Sequence, residues 1–285
     1  MKRLLIIKPS SMGDIIHGIF VAESIKAQLP GVVIDWVARR EFAPLIESAS
    51  AVDHVLIFER NGGLGSFIAL IRKIRRIRYD AVLDLQGLAR SGILTFCTRA
   101  LKKIGRSDAR EGAGLAYQEV TTVLPSGSPI HAVKILSGFL EVLGLEPTLP
   151  RSIYFNASAN ALNLPPCDGL RRVVIFPESR RSEKNWSGYE TLTRKLLDCG
   201  HDLQVIWCGH VPFEVSHPIE SNDFYNLTGE TQIDQLPELI KSADCVLTND
   251  SGPMHLAAAL ARPLVALFGP TDPSRFGPFP PDSQR

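Results

Sequence analysis

The chain has 285 residues, 45% of them hydrophobic, with 31 basic against 30 acidic side chains and a mean hydropathy of +0.05. That length is ample for two cores, the apolar fraction argues against extended disorder, and a net charge of +1 creates no global field that would draw the chain to nucleic acid. Five cysteines, odd in number and never spaced as CxxC, exclude a disulfide framework and a structural zinc site and point to a reducing compartment.

The first apolar run, "RLLII", is too short for a secretory leader and ends in a turn, and no stretch approaches the length of a membrane span, so a cytoplasmic location is expected. It is followed by "KPSSMGDIIH", where Ser10, Ser11, Gly13 and Asp14 stand at the start of a helix. Capping accounts for one such polar side chain, and Gly13 for a tight turn. "SSMGD" holds more than one cap needs. A carboxylate beside a glycine at a helix start is well placed to take a proton from a hydroxyl, which makes Asp14 a candidate general base. The helix N-terminus favours its ionised form and weakens it as a base, which is tolerable if the proton moves late.

Further short β-branched runs, "VVIDWVA", "HVLIFE" and "AVLDLQG", each precede a helix-like stretch, the pattern of a parallel sheet with crossover helices. In "IRKIRRIRYD", Ile71, Ile74 and Ile77 mark an apolar helix face from which Arg72, Lys73, Arg75, Arg76 and Arg78 fan outward. Such a face is either simply solvated or set against an anionic surface.

A proline-rich, weakly periodic stretch from Pro150 to Asp168 separates this series from a second, "RRVVIFP", "DLQVIWCG", "CVLTND" and "PLVALFG". Two Rossmann-like domains are expected, residues 1–155 and 156–285, with ligands at the carboxyl edges of their sheets. In the second, "FPESRRSEKNW" places Glu178, Ser179, Arg180, Arg181 and Lys184 in a loop after a strand, before a helix that Trp186 opens; a lysine there suits a diphosphate leaving group. "TNDSGPMHLAAAL" sets Asp250 and Ser251 at cap positions, Gly252 where backbone can approach a ligand, and Pro253 in the first helical turn. Such a helix start seats a phosphate or diphosphate, and His255 is either an added donor or a structural histidine.

Together "KPSSMGDIIH", "YDAVLDLQGLARSG", "FPESRRSEKNW" and "NDSGPMHLAAALARPLVALFGPTDP" resemble the ADP-heptose:lipopolysaccharide heptosyltransferases of glycosyltransferase family nine, the first two most like the heptosyltransferase I branch. The resemblance implies a GT-B fold, with two parallel-sheet α/β domains facing an interdomain cleft, the first for the acceptor and the second for the nucleotide sugar. It implies inverting transfer of heptose from ADP-heptose to a Kdo residue of the lipopolysaccharide inner core, without metal or other cofactor, at the cytoplasmic face of the inner membrane and in peripheral contact with it. Asp14 matches the family's base and Lys184 its lysine after the central strand. On the donor side fall Ser10, Ser11 and Gly13, then Glu178 and Ser179, then Asp250, Ser251, Gly252, Pro253 and His255. A ribose-binding acid is expected after "VIWCG", with Glu214 first and Asp234 second, although "HVPFE" departs from the family's usual polar run. Arg60, Gln86 and Arg90 are acceptor-side candidates, since arginine forks suit the Kdo carboxylate and lipid A phosphates; for both arginines a solvated or ion-paired role is the plain alternative. The sequence stops soon after "GPTDP", where the family usually continues through further helices, so a shortened C-terminal region is expected.

Two rival classes remain at this level. A nicotinamide-dependent oxidoreductase needs G-x-G-x-x-G after a strand, and the one dense glycine cluster, "NGGLGSF", lacks that pattern. A degenerate, non-catalytic nucleotide-sugar-binding protein is the stronger rival; Asp14 and Lys184 argue against it.

Overall fold

In the computed structural model, which describes residues 1–122, 131–158, 160, 162–179, 181–199 and 202–280, the chain forms two compact units, Met1–Asn156 and Ala157–Arg285. Arg180 of the polar loop lies outside the described residues.

The first unit runs β1 (Arg3–Ile7), α1 (Met12–Gln28), β2 (Val33–Arg39), α2 (Ala43–Ser48), β3 (His54–Phe58), α3 (Gly63–Arg75), β4 (Arg78–Asp84), α4 (Ala89–Cys97), β5 (Arg99–Arg106), β6 (Glu119–Thr121) and α5 (Ala132–Val142). Its sheet is parallel throughout, in the order β3-β2-β1-β4-β5-β6. Leu4, Leu5, Ile6 and Ile7 are fully buried, as an unbroken apolar run requires when helices cover both faces of a strand. On one face, Leu70 and Ile74 of α3 and Leu94 of α4 join Leu5, Ile7, Val37 and Val82 in one core. Elsewhere α1 lies against α5 and close to the sheet: a Cβ on Gly18 would sit 2.8 Å from the Trp36 ring, so only glycine allows the approach.

The second unit runs β7 (Arg171–Phe176), α6 (Tyr189–Asp198), β8 (Leu203–Gly209), β9 (Phe224–Thr228), α7 (Leu236–Ser242), β10 (Cys245–Asn249), α8 (Gly252–Ala259), β11 (Leu264–Leu267) and α9 (Pro273–Phe276). Its sheet is again parallel, in the order β11-β10-β7-β8-β9. Ile175, Tyr189, Val205, Trp207 and Leu247 form its core, and the buried Trp207 indole donates to Thr193 Oγ1 at 2.9 Å, so a large ring is buried without stranding its N–H.

Two local expectations change. The basic segment is not one helix: α3 ends at Arg75, and Arg78 is already the first residue of β4. Trp186 does not open a helix either. It packs edge-on against Tyr189, the first residue of α6, with ring centroids 5.1 Å apart, so the indole covers the helix start from the preceding loop.

Candidate active site

Both sheets reverse their direction of growth beside their first strand. In the first unit that point lies between β1 and β4, in the second between β7 and β10. Open α/β sheets offer a binding crevice outside the carboxyl ends of the strands at such a point. The predicted catalytic residues fall there in both units.

In the first unit, register places Ile7 opposite Asp84, and Asp84 opposite Gly105. The residues that follow, Lys8 and Arg106, therefore emerge at one level with Asp84. Ser11 is the N-cap of α1, and the Ser10–Ser11 peptide is cis. Asp14 Oδ2 accepts from the Ser11 backbone N–H at 3.1 Å and from Ser11 Oγ at 3.0 Å, the return half of a capping box. Lys8 Nζ stands 3.6 Å from the same oxygen; its side chain is 6% exposed against 49% for Asp14. The base candidate is thus half in solvent and its cation lies behind it. Burial lowers the Lys8 pKa, Asp14 opposes that most strongly, and Arg106 adds to the lowering. The Lys8 carbonyl accepts from the Trp36 indole at 3.0 Å, so the same ring that Gly18 accommodates fixes the turn after β1.

Asp84, fully buried, accepts from the backbone N–H groups of Gln86 (2.9 Å) and Gly87 (3.0 Å) and from the Tyr117 hydroxyl (2.8 Å). Burial raises its pKa and these donors oppose the rise. Gly87 adopts φ +68°, the left-handed region that favours glycine and lets two successive amides turn onto the carboxylate. Gly105 has a steric reason: a Cβ there would lie 2.1 Å from the Tyr117 ring, which crosses β5 to reach Asp84. Arg106 holds Asp108 through two bonds of 2.7 Å, and this pairing keeps the guanidinium charged and the Asp108 carboxyl below its usual range. Lys8, Asp84, Arg106 and Tyr117 stand at this sheet edge beside Asp14, and motif reading did not single them out. Lys8 stands inside the quoted motif, and Asp84 inside "LDLQG"; neither declares itself without the strand register.

The acceptor-side candidates also lie at this edge. Gln86 follows β4, and its Oε1 is buried without a hydrogen-bond partner. Arg90 Nη1 donates to the Arg60 carbonyl at 3.2 Å, which brings these two arginines together beside Phe58, Gly63, Leu64 and Phe67. His17 is buried inside α1 and meets His131 edge-on at 5.7 Å.

In the second unit, Lys184 ends a short 3-10 turn after β7, and Asp250 follows β10. Lys184 Nζ donates to Asp250 Oδ2 at 2.5 Å, with the two side chains 13% and 6% exposed, and Thr271 Oγ1 donates to the same oxygen at 2.5 Å. The pair ties together the segments leaving the two strands at the switch point. Ser251 is the N-cap of α8, but its Oγ pairs with Thr248 Oγ1 at 3.1 Å and makes no side-chain cap. Gly252 and Pro253 form the first turn of α8, and His255 follows on the same helix. Asn249, fully buried, donates to the Pro177 carbonyl at 3.1 Å and accepts from the Tyr189 hydroxyl at 2.9 Å, bracing the ends of β7 and β10 against α6.

Beside Lys184, the Ser179 N–H donates to Asn185 Oδ1 and Ser179 Oγ donates to the Arg181 carbonyl, both at 2.8 Å. Glu178 beside it is half-buried. Of the two ribose-acid candidates, Glu214 is exposed after β8, whereas Asp234 is buried and accepts from Ser158 Oγ at 2.7 Å.

The model of the family described as Glycosyltransferase family 9 (heptosyltransferase) matches residues 67–284. Lipopolysaccharide heptosyltransferase 1 of Escherichia coli strain K12 is 28% identical over 290 residues, covering 96% of this chain and 90% of that protein. The E. coli heptosyltransferase WaaC solved with ADP superimposes with a TM-score of 0.79 at 26% identity, over 97% of this chain and 90% of that one. The same enzyme solved with ADP-2-deoxy-2-fluoro heptose gives a TM-score of 0.77 at 26% identity, over 95% and 90% of the two chains.

Proposed function

Since the chain belongs to glycosyltransferase family 9, the heptosyltransferases, we propose that it moves a heptose from ADP-heptose to a Kdo residue of the lipopolysaccharide inner core, with inversion and without a metal. The relative solved with an ADP-heptose analogue supports the donor class. The reaction takes place at the cytoplasmic face of the inner membrane, with which the protein makes peripheral contact.

The acceptor hydroxyl gives its proton to Asp14 as its oxygen attacks the anomeric carbon from the face opposite ADP. The transition state is oxocarbenium-like, as in other inverting sugar chemistry. The bond to the diphosphate breaks as the new one forms, and negative charge grows on the departing oxygen. Lys184 stabilises that charge together with the amides at the start of α8. Lys184 is held by Asp250, so its ammonium needs no reorganisation when the charge develops. Gln86 Oε1, a buried acceptor without a partner, suits a donor hydroxyl of the acceptor sugar. Arg60 and Arg90 suit its carboxylate or the lipid A phosphates. Glu214 is the better ribose ligand, because Asp234 is already bonded to Ser158.

The observation that carries this reading is the placement of Asp14: a half-exposed carboxylate on the first turn of a helix, at the switch point of its sheet, with a buried ammonium behind it. The test is incubation of the full chain with ADP-heptose and Kdo-lipid A, following ADP release and the anomeric configuration of the product by NMR. Inverted glycoside is expected. Binding of ADP-heptose with no transfer would instead identify a non-catalytic binding protein.

A further inference from the structure

We propose that the face of the first unit built from α3, α4 and the 3-10 turn Ala113–Ala116 docks on the surface of an anionic phospholipid bilayer. This deepens the reading above, in which the acceptor is a membrane lipid, by naming the surface that meets the membrane.

Three observations meet on this face. The first is an apolar stripe that no other described element covers. Ile93 and Phe96, one turn apart on α4, are 47% and 69% exposed, Leu115 of the 3-10 turn is 92% exposed, and Leu101 of β5 is 77% exposed. Ile93, Phe96 and Leu115 line one open depression of about 290 Å³ with Ala89, Gly92 and Ala116. It exists because α4 and the 3-10 turn approach closely: a Cβ on Gly92 would meet Ala113 Cα at 2.7 Å. Exposed apolar side chains gathered in this way mark an interaction surface, where single ones do not.

The second is charge. From Arg60 to Arg78 the sequence carries six basic side chains and no acidic one. Arg72, Lys73, Arg75 and Arg76 are exposed on and just beyond the last turn of α3. α3 and α4 share one side of the sheet, since Leu70, Ile74 and Leu94 pack into the same core.

The third is that cations and apolar groups are joined physically. Arg75 Nη1 donates to the Cys97 carbonyl at 3.3 Å, at the C-terminus of α4. Lys103 Nζ donates to the Phe96 carbonyl at 2.6 Å and lies 5.3 Å from the centre of the Phe96 ring. The Lys103 ammonium thus lies over an exposed ring, a cation held against an apolar group. Glu111 is the acid on the rim, and its Oε2 accepts from the Ala89 N–H at 3.1 Å.

Apolar groups fringed by cations match the headgroup and acyl boundary of an anionic leaflet. A second copy of this chain fits less well, because a symmetric contact would set these cations against one another.

The experiment is vesicle cosedimentation of the full chain with phosphatidylcholine alone and with added phosphatidylglycerol, at low salt and at 1 M salt. Two double variants are compared, Phe96→Ser with Leu115→Ser and Arg72→Glu with Arg76→Glu. Turnover is measured in parallel on a deacylated, soluble acceptor. The wild type is expected to bind phosphatidylglycerol vesicles and to lose them in high salt. Each double variant is expected to bind roughly tenfold more weakly or worse, while the thermal midpoint is unchanged and soluble turnover stays within about twofold of the wild type. The proposal is overturned if the wild type does not partition, if both variants bind as well as it does, if binding ignores lipid charge, or if it requires the acceptor lipid in the vesicle. It is equally overturned if the same substitutions dissolve a dimer seen by light scattering. Partitioning without any transfer would refute the heptose-transfer reading and leave the surface standing.

Discussion

The ammonium of Lys8 lies 3.6 Å from the Asp14 carboxylate, yet the lysine is sealed beneath the sheet edge and the aspartate opens to solvent. Asp14→Asn keeps an oxygen for the Ser11 donors and removes the base. Turnover is expected to fall about 10²–10⁴-fold, with ADP-heptose affinity by calorimetry unchanged. Loss of both together would remove Asp14 from the base role.

Lys184→Met removes the cation assigned to the leaving diphosphate and strands Asp250, which is 6% exposed. Breaking a buried pair on one side costs about 3–5 kcal/mol. The double change Lys184→Met, Asp250→Leu is expected to recover much of that stability in urea melts and none of the activity. If activity returned with stability, Lys184 would be structural only.

Gly105→Ala pushes the Tyr117 ring off β5, because the new carbon has no room at 2.1 Å. Overpacking and a lost bond to Asp84 cost about 1–3 kcal/mol each. Tyr117→Phe, which loses the bond alone, is expected to be the milder of the two in thermal melts. Equal midpoints for both variants and the wild type would show that the tyrosine does not support the site.

Chelation tests the charge assignment. If Lys184 and the start of α8 suffice for the diphosphate, ADP release after exhaustive EDTA treatment should match the untreated rate. A loss restored by added cation would mean that a metal shares that task.

Glu190 gives a pH signature for the second unit. Arg194 and the Ser216 N–H hold its carboxyl down at about 2, below the ordinary value of 4.5. A depressed acid contributes stability above the unfolded pKa and loses it as pH falls through the folded one. Acid unfolding of the wild type should therefore steepen below about pH 4.5. Glu190→Gln should lower the midpoint at neutral pH and converge with the wild type by pH 2; parallel curves throughout would contradict the linkage.

Much of this architecture was legible in the sequence, because strands buried on both faces announce themselves as apolar runs: "RLLII" and "VVIF" need no context. Three strands, β5, β6 and β9, did not. β5, "RALKKIGR", mixes charged and apolar groups without a period of two, β6 is three residues long, and β9 carries an asparagine at its centre. The helix starts around Asp14 and Ser251 were readable because caps, glycine and proline have fixed places there. The network behind Asp14 was not. Lys8, Asp84 and Arg106 come from three strands, and only the register of β1, β4 and β5 brings them level. Likewise the junction of Lys184 and Asp250, 66 positions apart, required the order of β7 and β10.

The base role proposed for Asp14 and its capping role fall on one carboxylate. The carboxylate proposed to receive a substrate proton is also the latch that Ser11 closes, through Oδ2, with its amide and hydroxyl. A protonated carboxyl is the weaker acceptor, so the proposed proton transfer and the capping box draw on the same side chain. Replacing Ser11 by a residue without a hydroxyl would remove one of these two donors and leave the amide alone to hold the carboxylate at the helix start.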